Sequence, residues 1–433
     1  MIARHFIACR LIIGLLLLLI TSCATSSTPA ASDPTPAPVT SPVTLLLWHG
    51  WSGTDLQVLN HLIDQFNQQY PGGRVVAQAV PLVSFSRDLR SAVSSGTGPQ
   101  LALLPSSWVG GLADANVLLP LDDLIAPADQ QALLPVTIGT AQLRDQAQHT
   151  HLYGLPLRFD TLALFYNKAN IQEPPATTDD LMRLARLGDP GVPGTTPPRW
   201  GFALNLSIDN TIGYLYAFGG RVFDDQGNVT LGSDGRIGTR QWLNWLMTLN
   251  NDPQALVHPD SSTAVDRELK SKHVLMTFGW AHQLAEYNRL WGVQMGIAPL
   301  PRLSATNQPP RPYLQSDILV VNRRVSTAEQ RVAMDFLHFM TSSTIQHILL
   351  ASGMQPCRVD VAIDLAAPYG DAARVFRSQA AHATPMPNTT DRATVLAAMQ
   401  IMQDGALSGR VSPDDALTEA DTRLRQSLHL PQR

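Results

Sequence analysis

Residues 153–168 read YGLPLRFDTLALFYNK, an apolar run interrupted by Arg158, Asp160 and Thr161. A guanidinium or carboxylate buried in such a run is costly unless it is paired. Positions i and i+2 share one face of a strand, so one reading is an Arg158–Asp160 pair that staples two strands together. The other is a hinge strand: Tyr153–Phe159 leaves one body, Leu162–Tyr166 enters another, and Asp160 points into the gap. In a gap, these groups can bond to a hydroxyl-rich ligand. Asp209 and Asn210 follow the predicted strand Trp200–Leu204, and Gln315 lies at the polar start of Tyr313–Val321, so these three can do the same. His49, Ser52 and Ser107 sit just past apolar strands and add further polar groups.

Aromatic residues accompany them. Trp51, Trp108 and Trp280 each follow an apolar strand, and Tyr313 opens one. Gly279 would let the backbone approach a ligand closely. A pyranose has apolar faces and hydroxyl edges, so indole rings can cover the faces. Each polar bond to the rim adds roughly 0.5–1.5 kcal/mol net. Core packing is the competing reading for every tryptophan. It is the preferred one for Trp242 and Trp245, which have helical spacing beside Leu246 and Leu249. Two carboxylates such as Asp160 and Asp209, held ~5–10 Å apart, could instead cleave a glycosidic bond, but the chain lacks the eightfold strand–helix repeat of a barrel. His149, His151 and His338 lack metal-ligand spacing, and Asp224–Asn228 reads as a turn rather than a calcium loop. No G-x-x-x-x-G-K-[ST] is present, so ATP hydrolysis falls to a partner. No catalytic residue, metal or cofactor is expected.

These groups need elements to position them. Val43–Trp48 is apolar without alternation, as in a strand buried on both faces of a parallel sheet. Thr54 with Gln57 suggests a capping box for a helix whose stripe is Leu56, Leu59, Leu62, Ile63 and Phe66. Arg74–Val80 is a second strand, Ser86–Ser95 a helix and Leu101–Leu104 a third strand. That order implies a parallel sheet with right-handed crossovers. Further helices are expected over 179–187, 212–218, 239–249, 328–340, 343–350, 390–404 and 412–428. Further strands are expected over 274–280 and 292–299.

At 433 residues the chain exceeds what one core usually supports, so two lobes are expected. The formal charge is −4 with no basic face, which disfavours nucleic acid as a partner. Arg4 and Arg10 precede and flank the apolar run Leu11–Ile20, which is too short to span a bilayer of ~30 Å. Cys23 follows Ile20-Thr21-Ser22, a pattern similar to a bacterial lipobox that implies cleavage before Cys23 and its lipidation. Residues 24–42 are rich in Pro, Ser and Thr and read as a tether, extending at ~3.1 Å per residue. Cys357 has no obvious disulfide partner.

Taken in order, the chain resembles the family of bacterial extracellular solute-binding proteins that serve ABC sugar importers. The resemblance rests on Leu47–Trp51, Phe66–Gly72, Gly98–Leu101 with Trp108 and Gly110, Leu119–Leu121, Tyr153–Pro156 with Asp160 and Tyr166–Lys168, Phe218–Gly220, Gly279-Trp280, Ala298–Pro301 and Ala333–Leu337. One departure stands out: Leu104–Ser107 occupies the position where relatives often place an acidic or aromatic contact. The resemblance implies an α/β, two-lobe periplasmic-binding-protein-like fold (type II). Three crossings would lie near Pro156–Thr161, Phe278–Trp280 and Tyr313–Asp317. The lobes would be 43–157 plus 281–314 and 158–280 plus 315–433, after a signal peptide (1–22) and tether (23–42). It further implies a monomeric, membrane-tethered carbohydrate receptor working with importer permease subunits, with Asp160 and Trp280 at family contact positions.

Overall fold

Val43–His49 (β1) forms because seven residues with a buried, mostly apolar face pair in parallel with Gly73–Ala79 (β2) on one side and Leu101–Pro105 (β3) on the other. The helices between them, Gly53–Gln69 and Leu82–Ser95, bury Leu59, Leu62, Ile63 and Phe66, and Phe85, Leu89 and Val93, respectively. The first helix begins one residue before the expected cap. Ser52 occupies the N-cap position and makes no side-chain bond there, so the Thr54–Gln57 box does not form. This is a computed structural model. It describes residues 42–145, 149–189, 191, 199–224, 229–233, 235–252, 255–258, 262–389 and 391–429. The lipobox, the tether and most of the turn at 224–228 lie outside them.

Two short strands, Gln142–Arg144 (β4) and Thr150–Leu152 (β5), form a separate hairpin. The polar interruption at residues 158–161 does not divide the strand. Leu155–Asn167 (β6) is one continuous strand of 13 residues. What changes there is its partner. Leu155–Thr161 pairs antiparallel with Tyr313–Val321 (β11), while Leu162–Tyr166 pairs with Met276–Trp280 (β9). Phe202–Asn205 (β7) and Ala255–His258 (β8) extend the sheet beyond β9, giving the order β2-β1-β3-β11-β6-β9-β7-β8. Met295–Ala298 (β10) and Gln355–Pro356 (β12) also pair with β6, and Thr384–Pro385 (β13) pairs with β11.

Strand pairing distributes the chain differently from the expected lobe boundaries. Residues 281–314 were expected with the first lobe, but β10 pairs with the Leu164–Asn167 end of β6, on the second half of the sheet. Residues from 315 onward were expected with the second lobe. Instead, β11 pairs with β3, and the helix Thr327–Met340 packs on the first half, with Phe336 against Phe66 at 5.0 Å. The physical reason is that β11 is itself a crossing. Tyr313 packs in the second buried cluster, and Ile318–Val321 in the first. The last two helices, Arg392–Leu407 and Pro413–Ser427, do pack with Trp242, Leu243 and Leu246 in the second cluster. Trp242 is fully buried, in line with its core reading.

Candidate functional site

Asp160 stands at the last register pair but one before β6 exchanges partners. Gln315 lies opposite it on β11 and donates through Nε2 to Asp160 Oδ2 at 3.3 Å. From the β9 side, the backbone N–H of His282 donates to Oδ1 at 3.2 Å, and its ring Nδ1 lies 2.7 Å from Oδ2. Trp280, opposite Leu162 on β9, is half-buried. Its Nε1 donates to Asn210 Oδ1 at 2.9 Å, and its backbone N–H donates to Gln283 Oε1. Two cavities meet these groups. The first, about 240 Å³, is lined by residues including Asp55, Arg158, Asp160, Asp317 and Tyr369. The second, about 310 Å³, is lined by residues including Asn205, Asp209, Asn210, Trp280 and Tyr287. Both include His282 and Gln315.

The Arg158–Asp160 staple is not formed. Arg158 instead bridges two other carboxylates, with Nε 2.8 Å from Asp317 Oδ2 and an Nη 2.5 Å from Asp55 Oδ2. Its guanidinium sits 4.2 Å above the Trp51 ring, whose Nε1 donates to Asp317 at 2.8 Å. Burial pulls the Arg158 pKa down, but the two carboxylates outweigh it and the net shift is upward. His282 shows the same contest. Desolvation lowers its pKa, but the bond and charge of Asp160 together raise it by more, so it ends above its ordinary value. Asp209 is pushed up by burial against the opposing pull of Arg392, 3.4 Å away, and its Oδ1 is buried without a partner among the described residues.

The cavities therefore gather Arg158, Asp160, Asp209, Asn210, Trp280 and Gln315 from the expected set, with Asp160 on the first and Asp209 on the second. The others lie elsewhere. Trp51 is buried and one of its faces is taken by Arg158, which closes that face to a ligand. Tyr313 is 1% exposed, its hydroxyl 3.4 Å from that of Tyr216, so it is core rather than a stacking platform. Gly279 answers to packing: a Cβ there would meet the Tyr287 ring at 2.5 Å and Phe165 at 2.9 Å. His49 is buried in β1, where desolvation lowers its pKa despite an opposing bond with the Trp51 backbone. Ser52 is exposed at a helix N-terminus. Ser107 and Trp108 form a single turn after β3, and Trp108 tilts against Phe85 at 5.7 Å beside a separate surface pocket with Leu82 and Arg90.

Reading the sequence missed His282, Asp55 and Tyr287. His282 carried a weak signal, two residues past Gly279-Trp280. Asp55 looks like an ordinary acidic residue in a helix first turn, and Tyr287 belongs to a helix, Leu284–Trp291, that was not anticipated. No group of three or more metal-ligating side chains is found among the described residues, and no described helix is long and apolar enough to cross a membrane.

Comparisons with known proteins agree with this architecture. The maltotriose-binding protein of Pyrococcus abyssi is 25% identical over 362 residues, covering 82% of this chain and 76% of that one. The galactooligosaccharide-binding protein of Bacillus subtilis is 21% identical over 353 residues, covering 78% and 79%. The solved maltose/maltodextrin-binding domain from Bdellovibrio bacteriovorus, bound to maltotriose, superposes with a TM-score of 0.71 at 22% identity, covering 89% of this chain and all of that one. The fold is the two-lobe, type II periplasmic-binding-protein fold. With the profile of the family matching residues 50–347, the chain belongs to the bacterial extracellular solute-binding proteins.

Proposed function

We propose that the mature protein is a lipid-anchored receptor that captures a neutral oligosaccharide in the crevice at the β6 partner exchange and delivers it to an ABC importer. One observation carries this reading. Asp160 and Trp280, on adjacent strands, border two cavities that share His282 and Gln315. An acceptor-rich rim beside an indole plate suits a pyranose, whose apolar faces and hydroxyl edges need both. Relatives named for binding maltotriose and galactooligosaccharides support oligosaccharides of the maltose or galactose series as first candidates. Binding without bond cleavage fits the carboxylates, since Asp160 is engaged by His282 and Gln315 while Asp209 faces Arg392. Anchoring rests on the lipobox-like residues ending in Cys23 and the Pro-rich tether behind it. The test is calorimetry of the mature chain against maltose, maltotriose, maltotetraose and galactooligosaccharides. Kd values of micromolar or tighter, near −8 kcal/mol, are expected for at least one series. No heat with any of them at millimolar concentration refutes the ligand class. A Cys23→Ser chain that stays with the membrane as wild type does refutes the anchor.

A further inference from the structure

Among the described residues, His282 is the one titratable side chain that both cavities share. It follows β9 directly, in the one-turn helix Ala281–Gln283. Two contacts to one carboxylate fix its position: its backbone N–H to Asp160 Oδ1 and its ring Nδ1 to Oδ2. Its side chain is nonetheless 57% exposed, against 16% for Asp160. Nδ1 is committed to Asp160, while Nε2 has no hydrogen-bond partner among the described residues. Asp160 is the mirror image of this: recessed, with Oδ2 bonded to both His282 and Gln315 and Oδ1 to a backbone N–H.

We propose that His282, rather than Asp160, makes the direct contact at the centre of the crevice: Nε2 bonds a hydroxyl of the sugar where it passes from one cavity to the other, and Asp160 is a positioning residue that orients the ring. The inference rests on the carbohydrate reading above and assigns the contact within it. A carboxylate on Nδ1 sets the tautomer, so that the neutral ring keeps its proton on Nδ1 and presents Nε2 as an acceptor. Once protonated, the ring presents Nε2 as a donor. Sugar hydroxyls can answer either state, but not with equal strength, so affinity should change with pH around the His282 titration. The charges acting on the ring are Asp160 and Arg158 on β6 and Asp317 on β11, and the other charged groups lining its two cavities are Asp55 on the first helix and Asp209 and Asp266 in the second cavity. None of these is another imidazole.

The experiment is maltotriose calorimetry between pH 5.5 and 8.5 on the wild-type chain, His282→Leu, His282→Gln and Asp160→Asn, paired with ¹⁵N NMR of the His282 ring. His282→Leu is expected to lose at least tenfold in affinity, and His282→Gln to recover to within about threefold of wild type, because an amide restores a hydrogen-bonding head. Both variants should lose the pH dependence that wild type shows. Maltotriose should shift the His282 Nε2 resonance more than Nδ1. Asp160→Asn keeps an acceptor for Nδ1–H and should lose less than His282→Leu. If wild type binds maltotriose and His282→Leu binds it as well, the assignment is wrong and the carbohydrate reading stands. The same holds if Asp160→Asn is worse than His282→Leu with Nε2 unmoved, which returns the contact to Asp160. If wild type binds no sugar of the panel, both readings fall together.

Discussion

Trp280→Ala separates a ligand platform from a packing residue. The indole is half-buried, with its Nε1 tied to Asn210 and its backbone held by Gln283, so the side chain is already oriented before any ligand arrives. A tryptophan buries up to ~250 Å² when fully covered. Up to about a third of that remains for a ligand, and this area at ~25 cal/mol/Å² gives up to about 2 kcal/mol. Rearrangement of the crevice reduces this, so a loss of sugar affinity of about 10-fold, and no more than about 30-fold, is expected, at about 1.4 kcal/mol per factor of ten. Trp280→Phe keeps an apolar face but not the bond to Asn210, and should fall in between. Calorimetry supplies the affinities and circular dichroism the melting temperature. An Ala variant that binds maltotriose as wild type does, or one whose affinity falls only because the protein has melted, refutes the platform.

Two further outcomes follow from the packing around the site. Arg158→Met leaves Asp317 and Asp55 facing each other without their shared cation; because these side chains are only partly buried, the loss should fall below that of a fully buried pair, at about 1–3 kcal/mol. Chemical denaturation should show that loss, with Arg158→Met/Asp317→Asn recovering part of it; an unchanged midpoint shows the cluster to be dispensable. Gly279→Ala drives a Cβ into the Tyr287 and Phe165 rings and should cost about 1–3 kcal/mol of stability. If it instead weakens sugar binding at unchanged stability, the glycine serves ligand approach after all.

The parts of this protein legible in its sequence are those set by short-range pattern. The apolar run Val43–Trp48, the stripe Leu59–Phe66 and the helices ended by glycine all appear within a residue or a few of their expected limits. The polar interruption at 158–161 correctly marks a change of surroundings, because polar groups gather where a sheet is not fully covered. What it cannot mark is which partners they take. Arg158 finds Asp55 and Asp317, which are 103 and 159 positions away. The same limit explains the aromatic residues. Trp51, Tyr313 and Trp280 have similar local contexts, yet Arg158 covers the first, Tyr216 meets the second and the third lines the cavity with Asp209 and Asn210. Gly279 reads equally well as a ligand approach or a packing site until Tyr287 and Phe165 are seen against it.

The placement of the partner exchange bears on how ligand capture would be coupled to movement. Thr161 is the last β6 residue paired with β11, Leu162 the first paired with β9, and the Thr161 hydroxyl donates to the Tyr313 carbonyl at 2.9 Å. Asp160 therefore belongs to the first half of the sheet and Trp280, opposite Leu162, to the second, two positions apart along β6 with the Thr161–Leu162 peptide step between them. A rotation of the halves about that step displaces groups in proportion to their distance from it, so the outer parts of the two cavities separate most while Asp160 and Trp280 stay near the pivot. A ligand can shift a conformational equilibrium only by its difference in affinity for the two states. A sugar bound by both sides of the exchange has that difference built in, since the open state offers it one side at a time. His282 sharpens the point, because it leaves β9 on the second side yet fastens to Asp160 on the first. Opening must stretch those two bonds, so the same contact that presents Nε2 to a sugar also biases the empty protein toward closure. Weakening it with His282→Leu should then open the ligand-free protein, measurable as an increase in its radius of gyration by small-angle scattering. An unchanged radius would mean that the latch does not hold the halves together.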